Sequence, residues 1–303
     1  MKNMFQLQQL VTESANPASS GLSAMSIAEQ IDLMNAENQK AVLCLESQTR
    51  QIERVIEKTS EALQGGGRLV YMGAGTSGMI GLMDALECPP TFGVPEGVVI
   101  GLLAGKDHAF SNADVEDSRE LGKQDLEAIG LNAGDIVIGL AASGRTPYVL
   151  GGLAFAQEIG ASTAAVVCNP DTPIARLCPD TIEAVAGPEV LTGSTRLKAG
   201  TATKLVVNMI STLSMVRLGK VYKNYMVDVQ LANEKLIERG VHIVCETTGF
   251  SKEKAKETLV AAHGHVKSAV VMGMASCTLP EAERYLAQAG GSIDALLRQK
   301  DMR

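Results

Sequence analysis

Residues 68–93, RLVYMGAGTSGMIGLMDALECPPTFG, decide how this 303-residue chain folds. Leu69-Val-Tyr-Met72 is an apolar run of the kind that forms a buried strand. A tight turn follows, Gly73-Ala-Gly-Thr-Ser-Gly78, and then an apolar helical pattern that Pro89-Pro90 is expected to stop, with Glu87 just before the stop. A strand, a glycine turn and a helix N-terminus together make an anion site. Glycine lets the backbone come close to a ligand, free amides point outward, and the helix dipole favours negative charge. Thr76, Ser77 and Gly78 stand where a phosphate would sit, and a carboxylate one helix away would act on a sugar held by that phosphate.

Two related motifs are set apart. The turn fits G-x-G-x-x-G, but the dinucleotide fingerprint also wants an acid about 20 residues on, at the end of the second strand. Here the second run, Val98-Val-Ile-Gly-Leu-Leu103, ends in Ala104-Gly105, with no acid until Asp107. A Walker A loop is excluded because no Gly-Lys-Ser/Thr follows. The plain structural alternative is a glycine turn that only packs helix on strand.

Outward from this stretch, apolar runs at 68–72, 98–104, 135–141, 163–168 and 181–186 alternate with helical segments at 77–87, 113–128, 147–159 and about 198–218. Near-continuous apolar strands alternating with helices predict an α/β fold with a parallel sheet covered on both faces. Ligands in such sheets bind at the carboxyl ends of the strands. Residues 26–64 read as helical: Ser26-Ile-Ala-Glu29 is a capping box, and Ile27, Ile31, Met34, Val42 and Leu45 recur at helical spacing before Gly65-Gly-Gly67. From about 225 the pattern reads as helices only. Ser251, Ala255 and Leu259 echo as Thr278, Ala282 and Leu286, each set a capped amphipathic helix, and Gly290-Gly-Ser292 opens a last one. This small helical subdomain is expected to be structural or dimer-stabilising.

Composition narrows the function classes. Hydrophobic residues make up 46%, enough for a sizeable core without staples. A net charge of −7 with no lysine/arginine run argues against nucleic acid and anionic membranes. No apolar run is long enough to span a membrane, and Met1 to Ser20 carries no signal-peptide core. The six cysteines have no C-x-x-C spacing and read as reduced cytosolic thiols. His263 and His265 have no cysteine partner at ligand spacing, which argues against zinc. Aromatic content of 3% without Trp leaves no stacking platform for bases or long sugars.

Three loops that follow strands are rich in hydroxyls or cations. The first is Gly75-Thr-Ser-Gly78. The second, Ala142-Ser-Gly-Arg-Thr-Pro147, places Ser143, Arg145 and Thr146 at another helix start, because Pro147 suits a first turn. The third, Leu191 to Thr201, carries Ser194, Thr195 and Lys198 into a long helix. Each alone is ordinary N-capping; three together fit a phosphosugar pocket better. Acid–base chemistry on a sugar wants two carboxyl groups in distinct environments. Glu116, at an expected helix start, suits an ionised base. Glu87, among Leu86, Cys88 and two prolines, suits a desolvated, protonated acid. Composition does not choose among Asp114, Glu116, Asp117 and Glu120.

At these residues the sequence resembles the N-acetylmuramic acid 6-phosphate etherases, which have a sugar isomerase (SIS) domain. The matching blocks include Leu10-Val-Thr-Glu-Ser-Ala-Asn16, Gly73 to Gly78, Glu87-Cys-Pro-Pro-Thr-Phe-Gly93, Ala141 to Tyr148, Gly187 to Thr201, Asn208 to Thr212, Gly219 to Tyr222 and Met226 to Val229, in order over nearly the whole chain. The resemblance implies an SIS three-layer sandwich over 55–218, an N-terminal helical segment over 1–54, and a C-terminal helical region over 219–303 with a small UBA-like bundle. It implies a cytoplasmic homodimer without metal or redox cofactor, serving amino-sugar catabolism and cell-wall recycling. The implied reaction is cleavage of the lactyl ether to N-acetylglucosamine 6-phosphate and D-lactate by elimination and hydration. Glu87 matches the family's acid and Glu116 best matches its base. Three departures stand out: Met79 where the family has Arg, Leu86 where it has Ser or Ala, and a base segment, Ala113-Asp-Val-Glu-Asp117, about two residues short. The competing functions are a phosphosugar-binding regulator, like the related glucokinase regulatory proteins, and an aldose–ketose phosphosugar isomerase.

Overall fold

The computed structural model describes residues 10–106 and 113–299. The sheet strands are β1 (Leu69–Gly73), β2 (Val99–Leu103), β3 (Ile136–Ala141), β4 (Ser162–Val167) and β5 (Thr181–Glu183). They form one five-stranded sheet in the order β2-β1-β3-β4-β5, parallel throughout. The chain builds β2 on one side of β1 and then crosses to build β3 on the other. The loops leaving β1 and β3 therefore diverge, and a crevice opens between them at the carboxyl edge.

The helices of this part are α1 (Ile27–Leu43), α2 (Thr49–Gln64), α3 (Gly75–Phe92), α4 (Arg119–Ala128), α5 (Pro147–Glu158), α6 (Pro173–Leu177) and α7 (Lys198–Arg217). All residues of β1 and β3 are buried, which accounts for their unbroken apolar character. Val70, Met72, Val137 and Val167 pack against Leu126 of α4 and Tyr148 and Leu153 of α5. The alternate residues meet the other helical layer. The Tyr71 hydroxyl donates to the Val207 carbonyl of α7 at 3.3 Å, and α3 lies so close that a Cβ on Gly81 would sit 2.8 Å from that of Tyr71. The expected three-layer α/β sandwich is what forms.

Three local expectations differ from the structure. Residues 26–64 form two helices, separated by a 3₁₀ turn at Glu46–Gln48, because buried Leu45 turns the chain inward. The Ser26 box does start α1: the Ser26 amide donates to Glu29 Oε2 at 2.8 Å. Pro89 and Pro90 do not stop α3. Both lie inside the helix, which ends only at Gly93, whose φ is +63°. The helix expected over 113–128 begins instead at Arg119, because the Ser118 hydroxyl caps it by accepting from the Leu121 amide at 3.1 Å.

The chain divides into two compact units, the residues up to Leu86 with Gly97–Ser211, and Glu87–Glu96 with the residues from Thr212 on. The second contains a short antiparallel pair, β6 (Val221–Tyr222) and β7 (Tyr225–Met226), and helices α8 (Glu234–Thr248), α9 (Lys252–Ala261), α10 (Val266–Ala275), α11 (Leu279–Gln288) and α12 (Ile293–Gln299). The echo in the sequence is an echo in structure. Ser251 caps α9 and Thr278 boxes α11 with Glu281, while Ala255, Leu259, Ala282 and Leu286 enter one core with Val241, Val244 and Val270. Lys267 donates to Asp228 at 2.6 Å; burial pulls its ammonium pKa down, against the opposing pull of Asp228.

In the first unit a buried ion pair ties α1 to the start of α7. Lys198 Nζ donates to Glu37 Oε2 at 2.5 Å, with the two side chains 1% and 3% exposed. Lys40 and Asn16 add donors at 2.6 and 2.9 Å. Burial alone would raise the Glu37 pKa, but the bonds from Lys198, Lys40 and Asn16 outweigh it and hold the group at about 2. The folded value lies below the ordinary 4.5, so this contribution is fully present above pH 4.5 and is lost as pH falls toward 2. Glu37→Gln leaves Lys198 buried without its carboxylate and is expected to cost about 3–5 kcal/mol in urea unfolding at pH 7. The same variant should lose much of the wild type's decline in stability across that acid range. An unchanged urea midpoint would show that the pair contributes nothing net.

Candidate active site

A pocket of about 540 Å³ opens at the crevice between the β1 and β3 loops. Its first wall is the β1–α3 turn, with Gly75, Thr76 and Ser77. Gly75 has φ +52°, the left-handed conformation that lets α3 start directly at the strand end. The first amides of a helix have no acceptor within it, so this wall presents donors to the pocket. The second wall is Ala142, Ser143, Arg145 and Thr146, at the start of α5. Thr146 is the N-cap residue, yet its side chain makes no capping bond, and the Ser143 hydroxyl accepts from the Arg145 amide at 3.3 Å. Arg145 is the one cation among the described residues lining the pocket, and its guanidinium has no hydrogen bond or ion pair with them. Thr195 closes the pocket from the third loop.

Glu116 and Asp117 also line the pocket. They sit on a turn between a 3₁₀ segment, Ala113–Val115, and α4. The Tyr148 amide donates to the Glu116 carbonyl at 3.0 Å, which fixes this turn to the start of α5. Tyr148 is itself anchored: its hydroxyl donates to Asp125 at 2.7 Å, and burial, then that carboxylate, push its phenol pKa up. Of the four carboxylates left open by the sequence, Glu116 and Asp117 reach the pocket lining, while Asp114 and Glu120 do not. Asp107 and Asn112, at the edge of the base segment, lie outside the described residues.

The N-acetylmuramic acid 6-phosphate etherase of Geobacillus sp. is 48% identical over 294 residues, covering 96% of this chain and all of that protein. Those of Mycolicibacterium smegmatis and Bacillus cereus are each 50% identical, over 95% and 96% of this chain and 97% and 100% of theirs. The chain belongs to the N-acetylmuramic acid 6-phosphate etherase family. Residues 49–157 match the family model of the glucokinase regulatory protein N-terminal SIS domain, and residues 223–268 that of the C-terminal lid domain of the same protein. The crystal structure of a putative phosphosugar isomerase from Bacteroides fragilis superposes with a TM-score of 0.50 at 21% identity, over 63% of this chain and 91% of that one, which bears on fold alone.

Four of the residues singled out in the sequence stand elsewhere than the pocket lining. Lys198 is spent on Glu37 and is buried. The start of α7 is likewise occupied: the fully buried Glu189 carboxylate accepts from the Lys198 and Ala199 amides at 3.0 and 2.9 Å, so an anion from the chain itself fills that helix end. Ser194 is not among the lining residues, and Thr195 takes that place. Gly78 is a packing residue, since a Cβ there would lie 2.4 Å from the Gly73 carbonyl oxygen. Glu87 lies on the exposed side of α3, so the desolvation expected for it is not supplied by this chain's own fold. In the other direction, sequence reasoning left Leu10 and Glu13 without a role, although both line the pocket. Their only signal was the Leu10–Asn16 block, which local chemistry does not connect to a sheet lying far along the chain.

Gly78→Ala separates packing from ligand contact. Its methyl has nowhere to go between Gly73 and Leu103, so the variant should lose about 1–3 kcal/mol of stability through overpacking. Thermal unfolding of ligand-free protein checks this, and an unchanged melting temperature would show that α3 shifts freely on β1.

Proposed function

We propose that this chain is a carbon–oxygen lyase that cleaves the D-lactyl ether of N-acetylmuramic acid 6-phosphate, giving N-acetylglucosamine 6-phosphate and D-lactate. The observation that carries this is the pocket at the sheet's switch point, where Glu116 shares walls with hydroxyls and free amides, in a chain about half identical to named etherases. The phosphate is held by Thr76, Ser77, Ser143, Thr146 and Thr195, with Arg145 as counter-charge. Arg145 thereby does the work that the missing arginine at Met79 leaves undone. Glu116 removes the C2 proton of the open-chain aldehyde. Glu87 protonates the departing lactate oxygen, and water then adds at C3. No disulfide joins the six cysteines, all of them among the described residues, in keeping with a reducing cytoplasm; the reaction serves amino-sugar catabolism and cell-wall recycling.

We further propose a homodimer in which Glu87 of the partner subunit serves the pocket. Gly75 and Glu87 are twelve residues apart on one continuous helix, a rise of about 18 Å at 1.5 Å per residue. That is longer than the reach from the phosphate of a hexose 6-phosphate to its C3 oxygen. On the same helix Met79, Met83 and Leu86 are 42%, 46% and 67% exposed at helical spacing. A second copy over this stripe would cover apolar surface and take Glu87 out of water in one step.

D-lactate release from the synthetic substrate tests the reaction; binding without release would instead mark a phosphosugar-binding regulator. Glu87→Gln should abolish release yet still exchange the C2 proton with deuterated solvent, and Glu116→Gln should lose both, each by about 10²–10⁴-fold. If Asp117→Asn abolishes exchange and Glu116→Gln does not, the base is Asp117. Ser143→Ala should raise KM by about tenfold to a hundredfold, the loss of one hydrogen bond to a charged group. Sedimentation that finds a fully active monomer at assay concentration would remove the shared site.

A further inference from the structure

We propose that Glu13 is a third catalytic carboxylate of this pocket, the group that opens the sugar ring before elimination. The inference rests on the etherase chemistry above and extends it to a step for which neither Glu87 nor Glu116 is free.

A C2 proton is acidic only beside a C1 carbonyl, and the ring form of an aldohexose carries a hemiacetal there. Opening it requires three linked events. A base takes the proton of the C1 hydroxyl, the O1 electrons form the carbonyl while the C1–O5 pair leaves with O5, and O5 takes up a proton. One carboxylate can accept the first proton and return it to O5, so the step balances with no co-reactant. Among the described residues lining the pocket there is no His, Lys, Cys or Tyr, and beyond Glu116 the carboxylates are Glu13 and Asp117.

The structure favours Glu13 over Asp117. Asp117 is exposed and adjoins Glu116 on the same turn, whereas Glu13 is half-buried and enters from a separate segment, the 3₁₀ turn Val11–Glu13. Glu116 is tied to the start of α5, while Glu13 reaches the third loop, where a Cβ on Gly193 would lie 3.1 Å from Glu13 Oε2. The two carboxylates thus act from different walls. The Glu13 side chain forms no hydrogen bond or ion pair among the described residues, yet the backbone on both sides of it is pinned. On one side, the Thr12 amide donates to Asn169 Oδ1 at 3.3 Å, and the buried Asn169 Nδ2 donates to Thr12 Oγ1 at 3.0 Å and to the Ala142 carbonyl at 2.9 Å. On the other, Asn16 Nδ2 donates to the Pro188 carbonyl at 3.0 Å. A half-buried carboxylate that is held in place and has no partner among the described residues is placed to meet a ligand.

The test compares two substrates of the same enzyme: the ring-closed ether substrate, and the acyclic 2,3-unsaturated aldehyde 6-phosphate that elimination produces and hydration consumes. Glu13→Gln is expected to lower kcat on the ring-closed substrate by about 10²-fold or more while hydrating the acyclic one within about twofold of wild type. Glu13→Asp should recover at least part of the ring-closed rate. The acyclic reaction doubles as proof that the variant is folded. Equal loss on both substrates would overturn the proposal, since Glu13 would then position substrate or support the fold, and so would no loss on either. A wild-type protein that turns over neither substrate refutes the etherase chemistry itself, without any variant being needed.

Discussion

The contact between the end of β1 and the first turn of α3 is the constraint from which the rest of the site follows. A Cβ on Gly78 would lie 2.4 Å from the Gly73 carbonyl oxygen, and one on Gly73 would lie 2.8 Å from the Gly78 amide nitrogen. Two glycines facing each other let the helix begin without an intervening loop. Its free amides then stand at the sheet's carboxyl edge, beside the β3 loop that the strand order places next door. A longer connection would bring hydroxyls to the same region but not the rigid amides and dipole of a helix end.

Three of the helix starts that follow strands carry hydroxyl-rich loops, and the chain treats them differently. The start of α3 presents its first amides to the pocket, and at α5, where the Glu116 carbonyl holds the Tyr148 amide, the Thr146 N-cap hydroxyl makes no capping bond. The start of α7 is filled by Glu189, and the lysine next to it is filled by Glu37. The division sets where a ligand's negative charge can go. An anion at α7 would have to displace a buried carboxylate already bonded to two amides, whereas at α3 it meets helix-start amides and at α5 the uncapped Thr146 hydroxyl. Arg145, without a side-chain partner among the described residues, lies on the open side of this division and Lys198 on the closed side, although both are cations in hydroxyl-rich loops.

How far the sequence led depends on the range of the interactions concerned. The five strands, the Ser26, Ser251 and Thr278 caps and the hydroxyl loops are set by periodicity or by contacts within a turn, and they were legible. Pro89-Pro90 misled because proline's fixed φ is itself helical, so both stand inside α3, and what ends the helix is Gly93. The start of α4 was missed because Ser118, an ordinary residue on paper, caps it. The surroundings of Lys198 and Glu13 were not legible, for a common reason. Lys198 pairs with Glu37, 161 residues away, and Thr12, next to Glu13, pairs with Asn169, 157 residues away. No local pattern carries such a pairing.

On the function proposed above, the helix that starts at the phosphate wall also carries the acid Glu87, and its stiffness keeps the two roles apart within one chain. A helix fixes the separation of its residues by its rise, so no rotamer of Glu87 brings it back to an anion bound at Gly75. A flexible loop in place of α3 would allow both from one chain, at the cost of the rigid amides that make the anion site. Using the helix twice, once as an anion-binding end and once as a carrier for an acid delivered elsewhere, resolves this if two copies face each other. The apolar stripe of Met79, Met83 and Leu86 then has a reason to be exposed. The Met79 thioether adds to the area a second copy would cover, while the positive charge among the described pocket residues is that of Arg145.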